Sequence, residues 1–199
     1  WTEAEVRGYT QTSSITTGGI TVITNRHETD TTVATVMKVW NDDHNRDGIR
    51  PESITATLSN GQKVRLSAEN NWTATVTGLP VNENGEPISY TWSEESVEGY
   101  ALTTAVSGTT TTLTNTHEIA TTDLSVTKVW SDHNDQDGVR PESITVTLMA
   151  NNEAAAAFTL NAANNWTVTA ESQPVNADGQ PIVYTWSEEE VPGYTLSVS

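Results

Sequence analysis

Ala34-Thr35-Val36-Met37-Lys38-Val39-Trp40 reads as a β-strand whose period of two puts Ala34, Val36, Lys38 and Trp40 on one face. Ninety residues later, Leu124, Val126, Lys128 and Trp130 fall on the same face of a matching strand. A lysine set twice between a valine and a tryptophan points into an apolar layer. The chain has only three lysines, Lys38, Lys63 and Lys128, so two of three are core-facing. An unpaired ammonium there costs on the order of several kcal/mol, so each needs a partner.

The repeat extends well beyond these strands. Asp-Gly-Ile-Arg-Pro-Glu-Ser-Ile-Thr at 47–55 returns as Asp-Gly-Val-Arg-Pro-Glu-Ser-Ile-Thr at 137–145, an offset of 90. Asn-Asn-Trp-Thr at 70–73 returns at 164–167, and Tyr-Thr-Trp-Ser-Glu-Glu at 90–95 returns at 184–189, where the offset is 94. Four residues are therefore inserted between Leu148 and Leu160 relative to Leu58 and Leu66, as a hairpin tip tolerates. A partial third copy opens the chain, with Trp1–Tyr9 matching Trp92–Tyr100 and 23–28 matching 113–118. The organisation expected is the C-terminal part of one module at 1–29, a complete module at 30–118, and a module lacking its last strand at 119–199. A period near ninety gives each module its own core, and the short junctions at 27–31 and 117–121 limit pivoting.

Threonine and valine are abundant, phenylalanine occurs once against seven tryptophans, and turn residues recur at short intervals. That pattern predicts an all-β chain of tandem antiparallel β-sandwich modules. The Ala154–Ala157 run reads as loop or strand edge. No stretch is long and apolar enough to span a membrane, and no leader peptide is visible. The net charge of −17 repels phosphates and argues against nucleic acid as a partner. With no cysteine in an extracellular-looking β-protein, disulfides are not the staple.

Two further polar residues repeat on inward faces. Tyr90, Trp92 and Glu94 share a face, as do Tyr184, Trp186 and Glu188, with Trp1 and Glu3 as the earlier counterpart. Glu95 and Glu189 align with Ala4, which favours Glu94 as the inward acid. Asn115 shares a face with Leu113, and Asn25 with Ile23, although asparagine is a poor strand former. In an apolar pocket an amine tends to lose its proton and a carboxyl to keep one, leaving a nucleophile beside a proton donor. Attack on a neighbouring carboxamide would release ammonia and leave an isopeptide bond, with folding alone setting the geometry. A buried Lys–Glu ion pair capped by the asparagine amide, with no bond formed, accounts for the same pattern.

Lys-Val-Trp at 38–40, Asp-Gly-Ile-Arg-Pro at 47–51, Tyr-Thr-Trp-Ser-Glu at 90–94, Glu98-Gly99-Tyr100 and Leu-Thr-Asn-Thr at 113–116 together resemble the Cna protein B-type repeats of Gram-positive surface adhesins and pilins. The resemblance covers essentially the whole chain. It implies an inverse immunoglobulin-like sandwich whose first and last strands are joined by a spontaneous isopeptide bond. By position, Lys38 would be the nucleophile, Asn115 the acceptor and Glu94 the catalytic acid. Lys128 with Glu188 would await an asparagine outside the chain, and Asn25 with Glu3 a lysine outside it. The Tyr-Pro-Lys-Asn motif by which pilin backbones are polymerised is absent. The function implied is a stalk of cell-wall-attached modules at the cell surface, carrying load through covalent bonds and holding a distal domain toward host surface or matrix ligands.

Asp43, Asn45 and Asp47 precede Gly48 at the alternating spacing of a calcium loop, but Ile54 stands where the closing glutamate belongs, Pro51 interrupts, and His133 replaces Asp43 in the second copy. Asx-type turns explain the segment better. Each tryptophan recurs at a module position, which favours core packing over a carbohydrate platform. The four histidines lack zinc spacing. No cofactor is called for and no turnover enzyme is expected, because phosphate loops and nucleophile elbows are missing. An alternative function is an adhesive module that binds a host protein or glycan through loops at the sandwich end.

Overall fold

The computed structural model describes residues 1–197. They form two compact units, one of residues 1–39, 51–98 and 102–115 and one of residues 40–50, 99–101 and 116 onward.

The first unit opens with a hairpin of β1 (Thr10–Thr17) and β2 (Ile20–Arg26). Its two-residue turn, Gly18-Gly19, has positive φ at both positions, the conformation a tight hairpin demands and glycine supplies. β3 (Thr31–Asn41), β4 (Ser53–Leu58), β5 (Lys63–Ser67) and β6 (Thr73–Pro80) follow. A two-residue ribbon, β7 (Asn82–Glu83) with β8 (Glu86–Pro87), leads to β9 (Trp92–Glu94), β10 (Ala101–Ser107) and β11 (Thr110–Thr116). One sheet has the order β10-β11-β3-β6 and the other β5-β4-β9. Ala34, Val36, Leu79 and Leu113 come inward from the first, and Ile54, Ala56, Leu58, Leu66 and Trp92 from the second.

β11 lies beside β3 in the same direction, an exception to the antiparallel pattern expected. Thr35 N donates to Thr109 O at 2.8 Å and His117 N to Asn41 O at 2.9 Å, so both strands advance together. β3 and β11, far apart in the chain, are thus direct neighbours. On the outward side of the sheet, Thr35 and Thr75 join hydroxyls across β3 and β6 at 2.9 Å, which gives the threonine-rich alternation a cross-strand role.

In the second unit, β12 (Thr121–Thr127) pairs with β15 (Thr167–Pro174), and β13 (Ser143–Ala150) lies between β14 (Glu153–Asn161) and β18 (Tyr184–Glu188). A ribbon of β16 (Asn176–Ala177) and β17 (Gln180–Pro181) completes it. Ile144, Val146 and Leu160 form the core, with Val126, Trp130, Trp166, Val168 and Trp186 packed on it. The Ala154–Ala157 run lies in β14, at the edge of its sheet. The repeated Asn-Asn-Trp-Thr is a turn device. Asn70 and Asn164 each accept from the backbone N–H three residues earlier, Ser67 and Asn161, at 3.0 Å, and Asn71 and Asn165 take left-handed φ values of 52° and 51°. Trp92 is buried, Trp40, Trp72, Trp130, Trp166 and Trp186 are half-buried, and Trp1 is 93% exposed; among the described residues the β1–β2 hairpin is a two-stranded sheet on its own.

Gly48 and Gly179, both in the second unit, approach so closely that a Cβ on Gly48 would sit 2.6 Å from the Gly179 Cα. Gly179 N donates to Arg46 O at 2.9 Å, and Gly48 has φ of 71°. Gly48→Ala is expected to destabilise the fold by about 1 to 3 kcal/mol through backbone strain and this overlap, whereas Gly61→Ala meets open space and carries only the strain of its φ of 88°. Thermal unfolding of the two variants checks the difference.

Candidate functional site: a buried amine, acid and carboxamide

The first unit brings Lys38 and Glu94 together from opposite sheets. Lys38 Nζ lies 3.1 Å from Glu94 Oε1 and 3.0 Å from Oε2, with side-chain exposures of 0% and 1%. Burial pushes the Lys38 amine below the usual lysine range, against the opposing hydrogen bond and charge of Glu94. Glu95, the next residue, faces solvent.

Asn115 is 1% exposed on β11, the strand beside β3. Thr111, Leu113 and Asn115 form its buried side, and Ala34, Val36 and Lys38 form that of β3. The same-direction register sets Lys38 across from Leu113, with Asn115 the next inward residue. The Asn115 carbonyl oxygen, Oδ1, is buried with no hydrogen-bond donor on it, an uncommon condition for a buried carboxamide.

The other two copies hold parts of the same arrangement. Lys128 Nζ is 2.6 and 2.9 Å from the Glu188 oxygens, with side-chain exposures of 12% and 11%. Asn25 Nδ2 donates to both Glu3 oxygens, at 3.0 and 2.9 Å, on the exposed first hairpin. Amine with acid thus occurs twice, and acid with carboxamide once.

Asp43, Asn45 and Asp47 do not converge. Asp43 pairs with Arg46, and Asn45 Oδ1 accepts from Arg50 N at 2.8 Å. Asp47 Oδ2 accepts from Ala120 N and His117 Nε2, both at 2.9 Å, and its Oδ1 from Asn176 Nδ2 at 3.1 Å. Among the described residues no group of three or more His, Cys, Asp or Glu side chains is placed to hold a metal ion.

The Cna protein B-type domain profile matches residues 34–116 and 124–199. The chain belongs to the Cna B-type domain family. It is 36% identical over 207 residues to a collagen adhesin of Staphylococcus aureus, covering all of this chain and 17% of that protein. The crystal structure of two B repeat units of the collagen binding protein Cna of the same organism superposes with a TM-score of 0.82 at 34% identity, covering 98% of this chain and 53% of that one. A single B repeat unit of that protein is 39% identical, with a TM-score of 0.39.

One cluster in these B-type modules escaped the sequence reading. The buried Asp42 carboxylate accepts from Arg50 Nε at 2.8 Å, Tyr100 Oη at 2.9 Å and Asn45 N at 3.0 Å. Burial alone would push this carboxyl up, but the Arg50, Tyr100 and backbone hydrogen bonds outweigh it and hold it below the ordinary range. Tyr100 also meets Trp40 edge-on at 5.0 Å. Asp132, Arg140, Tyr194 and Trp130 repeat the cluster. The available signal was the recurrence of all four residues at the offsets of 90 and 94.

His117 presents Nδ1 to Gly99 O at 2.8 Å and Nε2 to Asp47. Both neighbours accept only, so both ring nitrogens donate and the ring is an imidazolium. Asp47 and the Gly99 carbonyl raise the His117 pKa. The Ala120 N–H and then His117 lower that of Asp47. The His117 contribution is complete below the ordinary histidine value and fades as pH rises through the raised one; the Asp47 contribution is complete above the ordinary carboxylate value and fades as pH falls through the lowered one. The melting-temperature gap between the native chain and His117→Gln is therefore expected to be widest between about pH 4 and pH 6.5. It should narrow on the alkaline side, as thermal scans across pH would record.

Proposed function

We propose that the chain is a stalk or spacer segment of a Gram-positive cell-surface adhesin, whose complete module closes itself with a Lys38–Asn115 isopeptide bond. The observation that carries this reading is the dry placement of Lys38 against Glu94 with Asn115 on the adjacent strand. Burial favours the neutral amine, which is the nucleophilic form. Lys38 Nζ attacks the Asn115 side-chain carbonyl carbon, a C–N bond forms, and the bond to Nδ2 breaks. Glu94 passes the proton from Nζ to the departing Nδ2, which leaves as ammonia, and the acid ends as it began. Family membership and the tandem arrangement support the spacer role; a single-turnover reaction of this kind makes the chain no enzyme.

The denatured intact mass of the chain is expected to fall one ammonia below the mass of the sequence, and Lys38→Ala and Glu94→Gln are each expected to restore the full value. Full mass in the native chain would refute the bond. The link closes a loop of 78 residues, from 38 to 115. By analogy with a disulfide, its loss in Glu94→Gln should reduce stability by about 4 to 5 kcal/mol, measurable by denaturant titration.

A further inference from the structure

Loop 42–50 is braced within itself. Asn45 N donates to Asp42 Oδ1 at 3.0 Å, Arg50 N to Asn45 Oδ1 at 2.8 Å and Gly48 N to Asn45 O at 2.9 Å. Its outward attachments, all inside the second unit, are chiefly polar. Gly179 N, at the tip of the β16–β17 ribbon, donates to Arg46 O at 2.9 Å where the Gly48 and Gly179 backbones meet. The Asp47 carboxylate, 7% exposed, gathers Ala120 N, His117 Nε2 and Asn176 Nδ2. One side chain thus fastens the loop both to residues 117–120 and to the ribbon.

Among these donors only His117 can lose its proton near neutral pH. Its ring lies between two oxygens that only accept, Gly99 O on Nδ1 and Asp47 Oδ2 on Nε2. A neutral imidazole has one N–H for these two places, so whichever tautomer forms sets a ring lone pair against an oxygen lone pair. We infer that His117 is a proton-operated lock: as an imidazolium it fastens loop 42–50 through Asp47, and on losing the proton it loosens the loop from the β16–β17 ribbon while the core of the unit stays folded. The loop belongs to one repeat of the sequence and the ribbon to the next, so the proton sets how firmly consecutive repeats are joined.

The surrounding charges favour the locked form. Asp47 first, and then the Gly99 carbonyl, raise the His117 pKa, and Asp42 adds its field. Tyr100, whose ring lies 5.4 Å from that of His117, and Arg50 are both engaged by Asp42. Arg46 pairs with Asp43, and Glu118 and Asp178 are exposed. Release therefore lies on the alkaline side of the ordinary histidine value. In strong acid Asp47, held low first by the Ala120 N–H, takes up a proton and the lock fails from the other side. Its parts recur in the chain: Asp137 and Gly138 stand 90 residues after Asp47 and Gly48, and His27 Nδ1 faces Gly8 O at 2.6 Å as His117 Nδ1 faces Gly99 O.

Amide hydrogen exchange on the full chain, followed by NMR across pH and corrected for the intrinsic rate, tests this. The Ala120 and Gly179 amides report the lock, and Val146, in the core on the central strand β13, reports opening of the whole unit. As pH rises through the titration of the His117 ring, read from its own resonances, protection of Ala120 and Gly179 should fall roughly tenfold, the worth of one charge-assisted hydrogen bond. Val146 should remain better protected than either. His117→Gln should show no such step. Steady protection while the ring titrates, a step that survives His117→Gln, protection of Val146 reduced to that of Ala120, or a ring that keeps its proton until the chain unfolds would each overturn the lock. Loss of ammonia by Lys38 and Asn115 is a separate readout, so the lock and the bond stand or fall independently.

Discussion

Removal of water from the Lys38 amine is the constraint around which the first unit is arranged. An ammonium with no accessible surface must lose its proton, find a carboxylate, or react, and the structure sets an acid against this one and a buried carboxamide on the adjacent strand. The three groups sit on β3, β9 and β11, at positions 38, 94 and 115. They are brought into one dry layer only once both sheets have formed and β11 has joined β3, so folding precedes any chemistry at the site. Amine and acid also clamp one sheet to the other at a point where apolar packing alone would give no directional preference.

The three copies relate completeness to dryness. Where β11 covers the site, Lys38 and Glu94 are sealed. Where no strand lies in that position among the described residues, Lys128 and Glu188 keep some solvent contact, and Lys128 also rests over the Trp130 ring at 4.7 Å. Asn25 and Glu3, on a hairpin without a facing layer, form an exposed hydrogen-bonded pair. The side chains recognise one another in every setting; the surrounding layers decide how far the amine is desolvated.

Alternation along strands made the inward faces of Lys38, Glu94 and Asn115 legible in the sequence, and the repeat made them credible, because a two-residue period leaves a side chain only two directions. It also separated Glu94 from Glu95. Loops have no such period. The convergence of Asp42, Arg50 and Tyr100, and the donors gathered by Asp47, depend on how far side chains reach across turns of left-handed backbone at 43–45. The sequence favours Asx-type turns there over a cation, but does not reveal which guanidinium, imidazole and backbone N–H groups take up these oxygens. Trp1 departed from the core reading because a repeated position implies burial only where the opposing sheet is present. The direction of β11 relative to β3 was likewise out of reach, since periodicity fixes faces and leaves open which edges meet.

Direction has a mechanical meaning. The backbone enters β3 at its first residue and leaves β11 at its last, and because these neighbours point the same way, tension applied along the chain slides one against the other. Sliding strains every hydrogen bond of the shared ladder at once, whereas peeling would break them in turn. Resistance to shear is therefore built into the order of the strands, and a link between the two would arrest a displacement that the ladder alone could only delay.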